Sequence, residues 1–451
     1  MHKEKKCGVS TINTDKLNMK TKLLSIIIVV MTIFGNSKLF SQTWSPVGTG
    51  VNNRVSAMTT YGTDLYVGGM FTTAGGSSAN YIAKWNGTAW SSVGTGMSYF
   101  VNALAVYGGD LYVGGEFTSA GGTPAYYIAK WNGTTWSAVG LGMSFPVKAL
   151  VVYSGELYVG GDFTTVNGVN TYYIAKWNGT TWSAVGSGMN NYVSSLAVYG
   201  TELLAGGNFS NAGGTAAWNI AKYNGTSWSA VGTGVSGGTT PIVYAMAQYN
   251  TDLVAAGDFY TSNYISKWSG TAWSALGTGM NNTIYALKVH NTDLYAGGVF
   301  STAGGTTVNK IAKWNGTSWS ALSTGMNNNV YSLTSYSSDL YAGGDFTTAG
   351  GISTTFIARL STPTGIQPIT QSNDFINVYP NPSSGSFIFS SNNLTSIKAI
   401  AVYDISGKII FQSNPDKMEI IIDLKEQTKG LYFYSIQYQN GNSTNGKLII
   451  E

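Results

Sequence analysis

The chain has 451 residues but only one cysteine, Cys7, and two histidines, His2 and His290. Those counts nearly exclude a cysteine nucleophile, an intramolecular disulfide and a His/Cys metal site. Charge is scarce too, at 10% of residues against a usual share of about 25%. A chain this poor in charge and this rich in aromatics has enough to bury, so wholesale disorder is excluded. Proline contributes 9 residues and glycine follows no Gly-x-y period, which excludes a collagen-like chain. Long apolar runs are almost missing. The exception is Leu23–Phe34 (LLSIIIVVMTIF), shorter than the roughly 20 residues that span a bilayer.

That run has the layout of a secretory signal. Lys20 and Lys22 precede it, and small or polar residues follow up to Gln42. Residues 1–41 therefore read as a signal region, with an alternative start at Met19 and cleavage expected near Ser41. A membrane anchor is the less favoured reading. The segment holds seven lysines and two acids, leaving 17 basic and 18 acidic residues in the rest, net −1. The basic balance of the whole chain thus departs with the signal. No nucleic-acid partner is expected, and no transmembrane span in the mature chain.

What the chain has in abundance is 58 glycines, 29 tyrosines and 13 tryptophans. They fall on a repeat. A Trp-Ser pair recurs at Trp44, Trp90, Trp136, Trp182, Trp228, Trp273 and Trp319, within T-x-W-S at all but the first. Between these tryptophans come an alternating stretch such as Val101–Tyr107 (VNALAVY), then Leu111–Phe117 (LYVGGEF), then Ile128–Gly133 (IAKWNG). Each is a short strand bounded by turn residues. Asn-Gly before Trp90, Trp136, Trp182, Trp228 and Trp319 suggests a type I′ hairpin. Four antiparallel strands, a to d, in about 45 residues make a β-propeller blade. Strands a, b and c occur seven times, ending at Ile357–Leu360, with no d strand after them. One d strand, Thr43–Val47, precedes the first a strand and would complete the seventh blade. The expected fold is all-β: a seven-bladed propeller over 42–360 closed by the N-terminal strand, a linker over 361–374, and a small C-terminal β-sandwich over 375–451.

The Gly-Gly doublet after an aromatic-rich strand and the recurring tryptophan resemble kelch-type propeller repeats across residues 43–360. Copper oxidases built on such propellers need cysteine, tyrosine and histidine around the metal. This chain lacks that set, so their activity is not carried over and no cofactor is expected. Residues 375–451 resemble the carboxyl-terminal sorting domain of the type IX secretion system of Bacteroidetes. The motifs are Tyr379-Pro380-Asn381-Pro382 with Gly385, the strand around Gly407 and Lys408, and Gly430 with Tyr432. The resemblance implies recognition by the type IX machinery and delivery, through the periplasm, to the outer cell surface or the medium.

In an antiparallel meander the b–c and d–a loops share one face, called the top here. These loops vary, whereas the turns of the opposite face hardly do, so the top is the candidate ligand surface. The residue after Gly-Gly around the ring is Met70, Glu116, Asp162, Asn208, Asp258, Val299 and Asp345. Four carboxylates there could ring one pocket, although such acids more often bond loop amides or pair with lysine, and the recurrent strand-c bases are the obvious partners. The acids before strand b, such as Asp64 and Asp110, read as turn chemistry. Trp218 is off the tryptophan period. It either stacks on a sugar or, the commoner role, plugs a blade junction. Repeat five departs at Ser236–Ile242 and Tyr260–Tyr264. Tyr99 and Phe100 complete the candidates. The expected function is a secreted or cell-surface, non-catalytic binding or adhesion protein with a glycan or surface-protein ligand. The alternative is a polysaccharide hydrolase or lyase using the top-face carboxylates.

Overall fold

The computed structural model describes residues 42–361, 376–391, 397–405, 407–439 and 443–451. The expected signal region, 1–41, and the expected linker beyond Ser361 lie outside the described residues. Among those described, every regular element is a β-strand. The chain divides into two compact units, the first ending at Pro363 and the second beginning at Thr364.

The first unit repeats a four-stranded antiparallel sheet in the manner of propeller blades. In the second repeat, strand a is Val101–Tyr107, b is Asp110–Gly115, c is Ile128–Trp131 and d is Trp136–Ala138. Strand b is buried from Leu111 to Gly115, because a neighbouring sheet covers each of its faces. The glycine doublet makes that close approach possible. A Cβ on Gly114 would stand 2.3 Å from Cγ1 of Val147 in the next repeat. A Cβ on Gly115 would stand 2.1 Å from the carbonyl oxygen of Phe100, where strand a bulges between Val101 and Ala103. Only glycine fits both constraints without displacement.

Tryptophan ties each sheet to the one before it. The indole N–H of Trp136 donates to the Val93 carbonyl (3.0 Å), and Trp90, Trp182, Trp228, Trp273 and Trp319 repeat the bond one repeat apart. The strand Thr43–Pro46 lies against Ile357–Ser361, with Trp44 opposite Leu360, in one sheet with Val330–Tyr336 and Asp339–Gly344. Trp44 is buried there, but its Nε1 has no acceptor. Gly343 faces Val55 of the first repeat as Gly114 faces Val147.

Two local readings are corrected. The Asn-Gly turns are not type I′, since positive φ falls on Gly87 (98°) and not on Asn86. Instead the Asn86 side chain accepts from the amides of Thr88 and Ala89, which is how an Asx turn holds a hairpin. The b–c connections are not plain loops either. Six of the seven contain a two-residue hairpin, such as Ser119–Ala120 with Thr123–Pro124, turned by Gly121 and Gly122 at positive φ.

The second unit is two sheets around one core. Ile376–Tyr379, Ser386–Ser391 and Glu419–Asp423 form one; Ile409–Ser413, Ile397–Tyr403, Gly430–Tyr438 and Ser443–Ile450 form the other. Phe387, Phe389, Val402, Ile422, Ile436 and Leu448 are buried between them. The sorting motifs have structural roles. Asn381 donates to the Lys447 carbonyl (2.8 Å) and accepts from the Ile449 amide (2.9 Å), pinning the Pro-Asn-Pro turn to the terminal strand. The bonds preceding Pro380 and Pro382 are cis. Gly385 passes so close to Lys425 that a Cβ would lie 2.8 Å from its Cα. Gly407 turns at φ 82°, with the Lys408 amide held by Asp404. Gly430 pairs with Ile450, and the buried Tyr432 donates its hydroxyl to the Thr428 carbonyl.

Candidate functional site

On the top face the residue preceding each strand c is held at positive φ: Tyr81, Tyr127, Tyr173, Asn219, Tyr264, Lys310 and Phe356, between 63° and 71°. An L-residue adopts this conformation only when its surroundings over-determine it. Here Tyr127 donates its amide to Phe117 and accepts from Gly115, and the other repeats do likewise. The bend fixes the residue just before it, which is Asn80, Tyr126, Tyr172, Trp218, Asn263, Asn309 and Thr355 in turn. The side chains of Asn80, Asn263, Asn309 and Thr355 donate to the carbonyls of Thr95, Thr278, Thr324 and Thr49 in the adjacent d–a loops. In three consecutive repeats an aromatic ring stands there instead and is exposed: Tyr126 at 50%, Tyr172 at 45% and Trp218 at 56%. Trp218 is therefore not a junction plug. It belongs to a row of positions that stands ten residues before the repeat tryptophan, as Tyr126 stands before Trp136 and Tyr172 before Trp182.

The departures of repeat five complement each other. The amide of Tyr260 donates to the Gly237 carbonyl and that of Thr261 to the Ser236 carbonyl, so the lengthened d–a loop packs on the shortened b–c loop. Tyr260 is exposed and meets Tyr264 edge to face at 5.6 Å. Tyr99 stacks on Phe100 at 3.8 Å, with Tyr81 beside both.

The post-doublet acids do not ring one pocket. A cavity of about 260 Å³ is lined by the strands a of all seven repeats, including Lys148, Tyr244, Tyr285 and Tyr331, and none of the four carboxylates lines it. Each acid is used at its own junction. Asp345 forms a two-bonded pair with Arg54 (both 2.7 Å), whose guanidinium lies 4.2 Å from the Tyr331 ring centre. The Asp345 bond holds the Arg54 pKa above its ordinary value, against the opposing effect of burial. Asp162 pairs with Lys148 (2.6 Å), whose ammonium lies 4.2 Å from the Tyr192 ring centre. Glu116 accepts from Asn102 at 3.4 Å. Asn208 donates to the Pro241 carbonyl and accepts from Asn191. Asp258 has no cation among the described residues. Tyr244 meets Tyr285 edge to face at 5.2 Å, and Tyr285 stacks on Tyr331 at 4.8 Å. Burial, reinforced by Tyr192, Tyr285 and Asp258, pushes the Tyr244 pKa up to about 12.

The strand-c bases are not the partners of these acids. Lys84, Lys130, Lys176, Lys222, Lys267 and Lys313 pair with the acids that open strand b, at 2.7–3.1 Å, and Arg359 meets Asp339 at 3.6 Å. The register dictates this. Lys84 lies opposite Tyr66, and Asp64 is its diagonal neighbour on the same face.

Comparison with known proteins agrees with both halves of this description. Residues 377–451 match the family model of the secretion system C-terminal sorting domain. Residues 141–292 match that of the Rax2 C-terminal beta propeller domain. No curated protein matches the chain. Among solved structures, the extracellular domain of a putative hybrid two-component system from B. thetaiotaomicron is similar at 13% identity and a TM-score of 0.50, covering 77% of this chain and 44% of that one. PorZ, a bacterial surface component of the type-IX secretion system of Porphyromonas gingivalis, is similar at 13% identity and a TM-score of 0.47. That match covers 90% of this chain and 60% of PorZ. The chain thus spans less than two thirds of either neighbour, and at such identities the likeness is one of fold. The chain carries a type IX sorting tail after a propeller-like repeat unit, and such a tail marks it for the cell surface or for secretion.

Proposed function

We propose that the protein is a non-catalytic binding or adhesion protein of the outer cell surface or medium, with a glycan as the ligand of its top face. Residues 1–41 would take it into the periplasm, and the tail at 375–451 would take it onward after the linker at 361–374. The repeat unit over 42–360 would be a kelch-like propeller of seven blades, closed where Thr43–Pro46 joins the last sheet.

The observation that carries the binding reading is the row Tyr126, Tyr172 and Trp218. Four repeats use this position for a side-chain bond to the adjacent loop. Three consecutive repeats place a large exposed ring there, which stabilises nothing in the fold that the other repeats need. Flat, exposed rings at a fixed repeat spacing suit the apolar faces of successive sugar units. The hydrolase or lyase reading is disfavoured because the four carboxylates do not converge on the central cavity, and Asp162 and Asp345 are neutralised by Lys148 and Arg54, which leaves Glu116 and Asp258 at separate junctions. A general acid or base needs a free carboxyl group within reach of its substrate.

The test is a polysaccharide array probed with the full chain, its Trp218→Ala variant and its Tyr126→Ala/Tyr172→Ala variant. Selective binding lost in both variants is the expected result. Binding unchanged in both variants, or absent from the folded chain, overturns the assignment.

A further inference from the structure

Residues 42–360 hold 11 basic and 11 acidic residues. Nine of each are joined in the ion pairs already described. Glu116 has Asn102, and Lys310 donates to the Val299 carbonyl. This leaves Lys288 of the bases and Asp258 of the acids, the latter with Tyr244, Tyr264 and Tyr285 near it and no ion-pair partner among the described residues.

The repeats show what belongs there. Between repeats seven and one, three positions meet. Tyr331 is the second residue of its strand a, Asp345 follows the doublet, and Arg54 precedes strand a of the next repeat. Between repeats three and four the same positions are Lys148, Asp162 and Tyr192, with ring and cation exchanged. Both junctions thus hold a carboxylate, a ring and a cation between them. Between repeats five and six the positions are Tyr244, Asp258 and Thr283. Thr283 matches Arg54 bond for bond. Its amide donates to Asn282 as that of Arg54 donates to Asn53, and its carbonyl accepts from Val299 as that of Arg54 accepts from Met70. The ring and the carboxylate are present, and the residue at the cation position is neutral. Tyr285, at 5.2 Å from Tyr244, adds a second ring where the seven–one junction has Ser56. Both tyrosines line the central cavity, so a group entering it reaches their faces.

We propose that Asp258, Tyr244 and Tyr285 form a binding site for a guanidinium or primary ammonium group on a flexible alkyl stem, supplied by a ligand in the place that Arg54 fills between repeats seven and one. A cation over an aromatic face, with a carboxylate to bond its N–H groups, is held by ring electrostatics and charge-assisted hydrogen bonds together. The site uses residues other than the exposed row Tyr126, Tyr172 and Trp218, so it stands or falls independently of the glycan reading.

The test is calorimetric titration of the full chain with agmatine, a small free cation bearing a guanidinium and a primary ammonium on a butyl stem, and with acetyl-arginine amide, which mimics a peptide side chain. Acetyl-citrulline amide is the neutral control. Saturable one-site binding of at least one cation, and not of the control, is expected. Binding of agmatine alone identifies a small free cation, whereas binding of acetyl-arginine amide identifies an arginine side chain. Asp258→Asn should weaken binding at least about tenfold, equivalent to about 1.4 kcal/mol. Tyr285→Ala should weaken it several-fold. Thr283→Arg should abolish it, because the new guanidinium occupies the site from within. Should that variant not fold, Asp258→Asn decides. No saturation up to about 10 mM, or equal affinity in wild type and Asp258→Asn, overturns the proposal.

Discussion

The second glycine of each doublet is the most constrained position in the repeat unit, and substituting it tests the account of why the sheets sit where they do. In Gly115→Ala the new Cβ would lie 2.1 Å from the Phe100 oxygen and about 3 Å from the Val101 Cα and the Phe100 carbon. All three atoms are backbone, so no rotamer relieves the clash. The Phe100 carbonyl must move by roughly 1 Å, which breaks its 2.9 Å bond from the Glu116 amide. Overpacking of this kind costs about 1–3 kcal/mol, and a stranded peptide group adds about 1–3 kcal/mol. The expected loss is therefore roughly 4 kcal/mol, a large part of a typical domain's stability. Gly114→Ala provides the contrast. Its Cβ meets only side chains, those of Val147 and Leu150, and repeat five already carries Ala256, buried, at the equivalent position of its strand b. About 1–2 kcal/mol is expected there. The assay is guanidinium unfolding of the full chain by tryptophan fluorescence. All 13 tryptophans lie between Trp44 and Trp319, so the signal reports the first unit alone. With a slope of about 4 kcal/mol per molar, Gly115→Ala should lower the midpoint by about 1 M and Gly114→Ala by less than half of that. Equal midpoints for Gly115→Ala and wild type, or a reversed order of the two variants, would refute the reasoning.

Two further perturbations follow from single residues. His290 stands where the other repeats have tyrosine, bonded to Ser335 through Nδ1 and with Nε2 unpartnered. Burial first, then the nearby Lys288, lowers its pKa below the ordinary value of 6.5. As pH falls through about 6.5 the unfolded chain takes up the proton before the folded one, so stability present at neutral pH is lost on acidification. His290→Tyr should flatten that loss between about pH 7 and pH 5. It should also add about 1 kcal/mol if its hydroxyl reaches the Ser338 carbonyl, as Tyr61 reaches that of Gly109 at 3.0 Å. Identical pH slopes in thermal melts of the two proteins would defeat this account. In the second unit, Asn381→Ala removes both bonds to the terminal strand and should cost about 1–2 kcal/mol. A fluorescent reporter carrying residues 364–451 should then leave a type IX-competent cell less efficiently. Undiminished export with an unchanged melt would show that the motif acts by other means.

The sheets were legible in the sequence because their determinants are local and recur in every repeat. A doublet whose second position only glycine fills, a tryptophan every 45 or 46 residues and alternating apolar runs each have one physical meaning. The strand-c lysines were misassigned, although their partner was written in the spacing. Lys84 follows Asp64 by 20 residues, as Lys130 follows Asp110, and a constant separation across two adjacent antiparallel strands is a register. The small hairpins were missed because Gly121-Gly122 reads as a loop until the strands on either side are seen to pair. Trp218 was misjudged for a related reason. Its residue type sets it apart from neighbouring positions, but only the bend at Asn219 turns the chain that exposes it.

Asp258 shows the deeper limit. Nothing about an aspartate after the doublet position marks it, because Asp162 and Asp345 stand at the same place in their repeats, after Gly-Gly where Asp258 follows Ala-Gly. Their difference lies in side chains of other strands and other repeats: Arg54 comes from nearly 300 residues away, and Lys148 from the neighbouring strand. A repeat protein neutralises an acid through whichever position geometry makes adjacent, so function has to be sought by superposing equivalent junctions and asking which is incomplete. At the junction of repeats five and six the carboxylate and the rings are in place, and the third position is held by a threonine.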